Sequence, residues 1–165
     1  MTFQIFQIMN SKSFSQLYGK KMKFKYCLNE SVKTTVQPKT RGELKKIIED
    51  AIKEHGFNCD LNFIDTSLIK DMRDLFDGSK FNGDISKWDV SNVENMEHMF
   101  MRSKFNGDIS KWDVSNVKDM GSMFNKSEFN GDISKWNVSK VNYMYCMFKK
   151  SPLEGNEPDW YKKRK

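Results

Sequence analysis

Residues 81–93 read Phe81-Asn82-Gly83-Asp84-Ile85-Ser86-Lys87-Trp88-Asp89-Val90-Ser91-Asn92-Val93, and the phrase returns from Phe105 and, nearly unchanged, from Phe129. A period of 24 residues marks an array of small units. No such unit can bury its apolar side alone, so neighbours must stack. Sliding the frame back aligns Phe57-Asn58-Cys59-Asp60-Leu61 with the phrase, Ile64 standing in the Trp88 place. Sliding it forward puts Leu153, Gly155 and Trp160 in the Phe, Gly and Trp places. The units are therefore 57–80, 81–104, 105–128 and 129–152, with a partial closing repeat and basic tail over 153–165.

Within a unit, Ile85, Trp88 and Val90 have the LxxLxL spacing of a leucine-rich-repeat strand, so this stretch is expected to be a short parallel strand. Val93, Met96, Met99 and Phe100 advance by three, three and one, which suits a short helix or a tight arc. Ser67, Ser91, Ser115 and Ser139 fall at its entry, where a hydroxyl would accept an amide hydrogen. The expected fold class is α/β: a short LRR-like solenoid of four coils plus a half coil, with parallel strands on one face and a capping helix at the N-terminal end. Two aromatic columns, Phe57, Phe81, Phe105, Phe129 and Trp88, Trp112, Trp136, Trp160, read as core ladders. Met72, Met96, Met120 and Met144, with Met99, Met123 and Met147, fill the opposite wall.

Asn58, Asn82, Asn106 and Asn130 recur beside Asp60, Asp84, Asp108 and Asp132. Side-chain amides facing their copies would close backbone hydrogen bonds left open by a bend. Calcium between Asp-bearing turns is the rival reading, weakened by one such carboxylate and one Gly per coil.

Upstream, Thr40-Arg41-Gly42-Glu43 has capping-box spacing, Leu44, Ile47, Ile48, Ala51 and Ile52 form one apolar stripe, and Gly56 supplies a stop. A capping helix is expected over 38–56, its stripe closing the first unit. Residues 1–37 form an N-terminal extension in which Met22, Phe24 and Tyr26 alternate with lysines as a short strand would.

Hydrophobic residues make up 38% of the 165, low for a packed globule but natural for an array that hides one row of side chains per turn. The net charge of +6 is unevenly placed: residues 1–25 hold five Lys and no acid, 162–165 hold four bases, and −3 is left for the body between. A basic face for nucleic acid is therefore not expected; only the basic ends offer that alternative. Cys27, Cys59 and Cys146 read as reduced thiols. No apolar run reaches membrane-spanning length, and no secretion leader is legible, so the chain as encoded is expected in the cytoplasm. His55 and His98 face no recurring nucleophile, and no phosphate loop is present, so neither an enzyme nor a cofactor is expected.

The phrase Asp84 to Val93 with Met96, Met99 and Phe100 closely resembles the BspA-like leucine-rich-repeat surface proteins of bacteria, and the lead-in from Pro38 through Asp65 and Thr66 resembles that family's entry helix. The resemblance, over 38–152, implies adhesion or protein binding at a cell surface. The side chains left free to act lie between the inward positions of the expected strands: Lys87 and Asp89, Lys111 and Asp113, Lys135 and Asn137, with Phe63 in the Lys place of the first unit. They are the candidate contacts of a monomeric, non-enzymatic scaffold for a protein partner. A purely structural repeat fragment is the remaining alternative.

Overall fold

A computed structural model of the chain describes residues 35–163; the strand expected at residues 21–26 lies outside them. Helix α1, Arg41–His55, begins where the Thr40 hydroxyl accepts the Glu43 amide at 3.2 Å and the Glu43 carboxylate accepts the Lys39 amide at 2.9 Å. These bonds satisfy amides that a helix start leaves open. It ends at Gly56, whose positive φ of 85° is one that side chains resist. Its buried stripe of Leu44, Ile48 and Ala51 joins the core of the first coil. A short second helix, α2, spans Asp159–Lys162 at the other end.

The α/β expectation is overturned. Among the described residues the only β pairing is five isolated parallel bridges: Val36 with Ile64, Asp60 with Asp84, and a chain from Asp71 through Asn95 and Asp119 to Tyr143. The stretch expected to be a strand is two consecutive turns. The Trp88 amide donates to the Ile85 carbonyl at 3.1 Å, and the Val93 amide to the Val90 carbonyl at 2.9 Å. Each turn is opened by an aspartate whose Oδ1 accepts the amide two residues on, Asp84 from Ser86 at 2.8 Å and Asp89 from Ser91 at 3.0 Å. Asp-x-Ser thus offers the backbone a local partner that competes with a sheet ladder. The serine role is also corrected: the Ser91 hydroxyl donates to the Asp89 carboxylate at 2.6 Å and caps no amide.

After these turns comes an arc in which alternate amides bridge to the next coil. Met96, His98, Phe100 and Arg102 donate to the carbonyls of Asp119, Gly121, Met123 and Asn125, at 2.8 to 3.0 Å, and the neighbouring junctions repeat the pattern. The intervening amides close turns within the coil, as Met99 to Met96 and Met101 to His98 do. To aim alternate amides the same way, each arc places two residues in the left-handed region: Asp74 and Gly78, His98 and Arg102, Ser122 and Lys126, Cys146 and Lys150. A non-glycine residue costs about 1 kcal/mol or more there, and a β-branched one has no relaxed conformation. Lys126→Val is therefore expected to destabilise by about 2 kcal/mol and Lys126→Gly by almost nothing, as read by urea unfolding.

The core lies between turns and arc. Phe81, Phe105 and Phe129 stack with centroids 6.1 and 6.3 Å apart, and Phe76, Phe100, Phe124 and Phe148 form a second column at 5.4 to 5.9 Å. The columns interlock, with Phe100 4.5 Å from Phe105 and Phe124 4.3 Å from Phe129. Phe57 does not join them: it is 46% exposed. Trp88, Trp112 and Trp136 are buried, and each indole N–H donates to a carbonyl of the preceding coil, those of Leu61, Ile85 and Ile109 respectively. Trp160 does the same to Ile133 at 2.9 Å. This donor, absent from Phe or Leu, adds a second, inter-coil bond to a carbonyl that already accepts the amide closing its own turn.

Candidate functional site

The turn from Ile85 to Trp88 buries its ends and turns its third residue outward. Repetition places Lys87, Lys111 and Lys135 in one exposed row. On one side runs Asp84, Asp108, Asp132 and on the other Asp89, Asp113, Asn137, all exposed. The two flanking rows already have work within the chain. Asp108 and Asp132 accept the amides of Ser110 and Ser134 at 2.9 Å, as Asp84 does that of Ser86. Asp113 and Asn137 accept those of Ser115 and Ser139, as Asp89 does that of Ser91. The ammonium groups of the three lysines have no hydrogen bond or ion pair among the described residues. Ser110, Lys111, Asp132 and Lys135 line an open groove between the third and fourth coils.

Phe63 stands one coil before this row and differs from it. It is half-buried against the core, and its carbonyl accepts the Val36 amide at 3.1 Å, so residues 35–38 run beside it. The six polar candidates thus share one exposed surface, and Phe63 is half-buried.

The asparagine column is a one-way ladder. Oδ1 of Asn82 accepts the Asn106 amide and that of Asn106 accepts the Asn130 amide, both at 2.8 Å. Asn58 stays outside it, because the Asn82 amide goes to the Phe57 carbonyl. A second ladder, unread in the sequence, has Asn92 and Asn116 donating to the carbonyls of Ser67 and Ser91. Among the described residues no group of three His, Cys, Asp or Glu side chains is placed to hold a metal ion. Cys59 is buried and Cys146 exposed, both as free thiols.

The turn bonds set the acid response. The Ser86 amide, then its hydroxyl and nearby Lys87, hold Asp84 below the usual carboxylate range. The Ser110 amide with Lys111, and the Ser134 amide with Lys135, do so for Asp108 and Asp132; the Ser115 hydroxyl and amide do so for Asp113. Carboxylates whose folded values are depressed stabilise fully above the ordinary aspartate value of about 3.9 and lose that contribution as pH falls through the folded values. Urea midpoints are therefore expected to be level from neutrality to about pH 5 and to fall below about pH 4. Replacing the four aspartates by Asn should flatten that fall.

The arc presents other groups. Arg41 reaches from α1 to the Arg73 carbonyl at 2.9 Å and to Asp74 at 3.4 Å, and Arg73 pairs with Asp71 at 2.8 Å. Lys118 joins Glu94 and Arg102 joins Asp77 across coil junctions, both at 2.6 Å, and Lys104 pairs with Glu128. Tyr145 lies over Gly121, where an added Cβ would meet its ring at 2.7 Å, and its hydroxyl donates to Glu97 at 2.8 Å. That carboxylate holds the Tyr145 phenol above its ordinary range. Tyr143 and Tyr145 are 62% and 55% exposed. The signal for them was available: they take the places of Asp119 and Gly121 one unit earlier.

Among the described residues no helix is long and apolar enough to cross a membrane. Residues 43–160 match the family described as Mycoplasma protein of unknown function, DUF285. No curated protein and no solved structure matches the chain.

Proposed function

The chain belongs to the DUF285 family, and from that premise we propose that it is a non-enzymatic protein-binding scaffold whose partner docks along the row Lys87, Lys111, Lys135 and its flanks Asp89, Asp113 and Asn137. One observation carries the reading. Of the three polar rows on this surface, only the lysines carry charged groups without a bond inside the chain, since the side-chain oxygens of the aspartates and Asn137 hold the turns together. A repeated, regularly spaced donor row recognises a partner that offers carboxylates or carbonyls in similar register, and carboxylate rows on both sides reject misplaced acids. Phe63, half-buried beside residues 35–38, extends the surface by its exposed edge. The likeness of the repeat phrase to BspA-like surface proteins supports adhesion as the setting.

Capture of a partner from host and native extracts tests this. Lys87→Glu with Lys111→Glu is expected to weaken capture about tenfold or more, equivalent to about 1.4 kcal/mol, while the urea midpoint stays near the parent value because both side chains are exposed. Undiminished capture by the folded double variant would remove the lysine row from the binding surface.

A further inference from the structure

The leading amides of the later arcs, such as those of Glu94 and Lys118, donate back to the preceding coil, but the four alternate amides after them all point forward. Those of Met120, Ser122, Phe124 and Lys126 donate forward to the carbonyls of Tyr143, Tyr145, Met147 and Lys149, as the coils before them do. Peptide dipoles aligned in this manner add, making the donor end positive. In the last coil the corresponding donors are the amides of Met144, Cys146, Phe148 and Lys150. Among the described residues the first three have no hydrogen-bond partner. The fourth donates to the chain's own Glu154 carboxylate at 2.8 Å. With Cys146 and Lys150 left-handed at φ 51° and 58°, the row has the alternating backbone that cradles anions.

Side-chain charge runs in the same sense. Three Asp against Lys70 and Arg73 leave residues 70–79 at −1, and residues 94–103 also stand at −1; residues 118–127 reach +1, and residues 142–151, with Lys149 and Lys150 and no acid, reach +2. Stability alone would favour acids at the donor end and bases at the acceptor end. The gradient is the reverse. At the same edge the repeat pattern is broken by Tyr143 and Tyr145, both largely exposed, and exposed aromatics of this kind serve as contact anchors.

We propose that this open edge binds an extended acidic segment of a partner protein. Its carboxylates and main-chain carbonyls take the amides of Met144 and Cys146 as Glu154 takes that of Lys150, and Tyr143 packs on its apolar stems. The surface is separate from the lysine row.

The test is an amide NMR titration of the full chain with a short oligoglutamate peptide, oligolysine serving as control. Oligoglutamate is expected to shift the Met144 and Cys146 amides downfield, with or without added shifts at Lys87, Lys111 and Lys135. Glu154→Ala, which frees the fourth donor, should tighten binding several-fold, and Tyr143→Asp, which returns an acid to the edge, should weaken it about tenfold. Equal shifts from oligolysine, unmoved edge amides, or a folded Tyr143→Asp variant that binds like the parent would overturn the proposal. So would edge shifts that follow protein concentration without peptide, since copies of the chain would then occupy the edge. Shifts confined to the lysine row would overturn this edge and leave the other surface standing.

Discussion

Gly83→Ala is expected to cost about 3 kcal/mol or more, the upper end for an overpacked interior site. Its Cβ would stand 1.9 Å from the Cys59 carbonyl oxygen and 2.7 Å from the Phe81 ring. A ring can tilt, but the carbonyl is backbone, held where it accepts the Asp84 amide at 3.2 Å beside the Asp60–Asp84 bridge. Relief therefore means separating the first two coils. The same substitution should be milder at Gly107, where the nearest backbone atom would be 3.3 Å away, and mildest at Gly131, where only the Phe129 ring intrudes. In the first coil, which no earlier repeat abuts, Cys59 fills this place. Urea unfolding of the three variants gives the order directly, and a Gly83→Ala midpoint no lower than that of Gly131→Ala would refute the close approach.

Phe105→Ala should cost about 3–5 kcal/mol, the usual loss for a buried phenylalanine. The ring is fully buried and stacks on Phe81, Phe129 and Phe100 with centroids at 6.1, 6.3 and 4.5 Å. Its removal opens a gap in both columns midway along the stack. Because each coil is stabilised chiefly by its neighbours, that gap should also weaken the cooperation between the two ends and broaden the transition. Phe57→Ala, at a half-exposed ring outside the ladder, should move the midpoint little. Equal losses at the two positions would show that the columns are not the main source of stability.

The buried columns were legible because packing asks for the same side chain at the same place in every coil: Phe81, Phe105 and Phe129 could be read as stacked from their spacing. Helix α1 was legible for a local reason, with Thr40 and Gly56 carrying its two ends. The strand reading failed at Ile85 to Val90. A turn whose fourth residue donates to its first also returns an apolar side chain inward every three residues, so LxxLxL did not separate strand from turn. The deciding signal was Asp-x-Ser, present at Asp84 and again at Asp89, but it acts on the backbone two residues away and leaves no mark in hydrophobic periodicity. The left-handed positions were illegible because His98, Ser122 and Cys146 differ in kind while sharing one conformation. At the candidate surface, exposure of Lys87, Lys111 and Lys135 follows from the period. The partial burial of Phe63 does not, since residues 35–38 run beside it and have no counterpart in the later coils.

The indole column gives the protein an optical signature of its own order. Trp88 and Trp112 lie 6.4 Å apart with rings within 2° of parallel, close enough for their ultraviolet transitions to couple. The coupled pair belongs to two different repeats, so the shift and weakening of its ultraviolet absorption register the distance between them, whereas the fluorescence of each ring registers only its own burial. Slippage between the second and third repeats would thus abolish that shift and weakening while the emission spectrum still looked native.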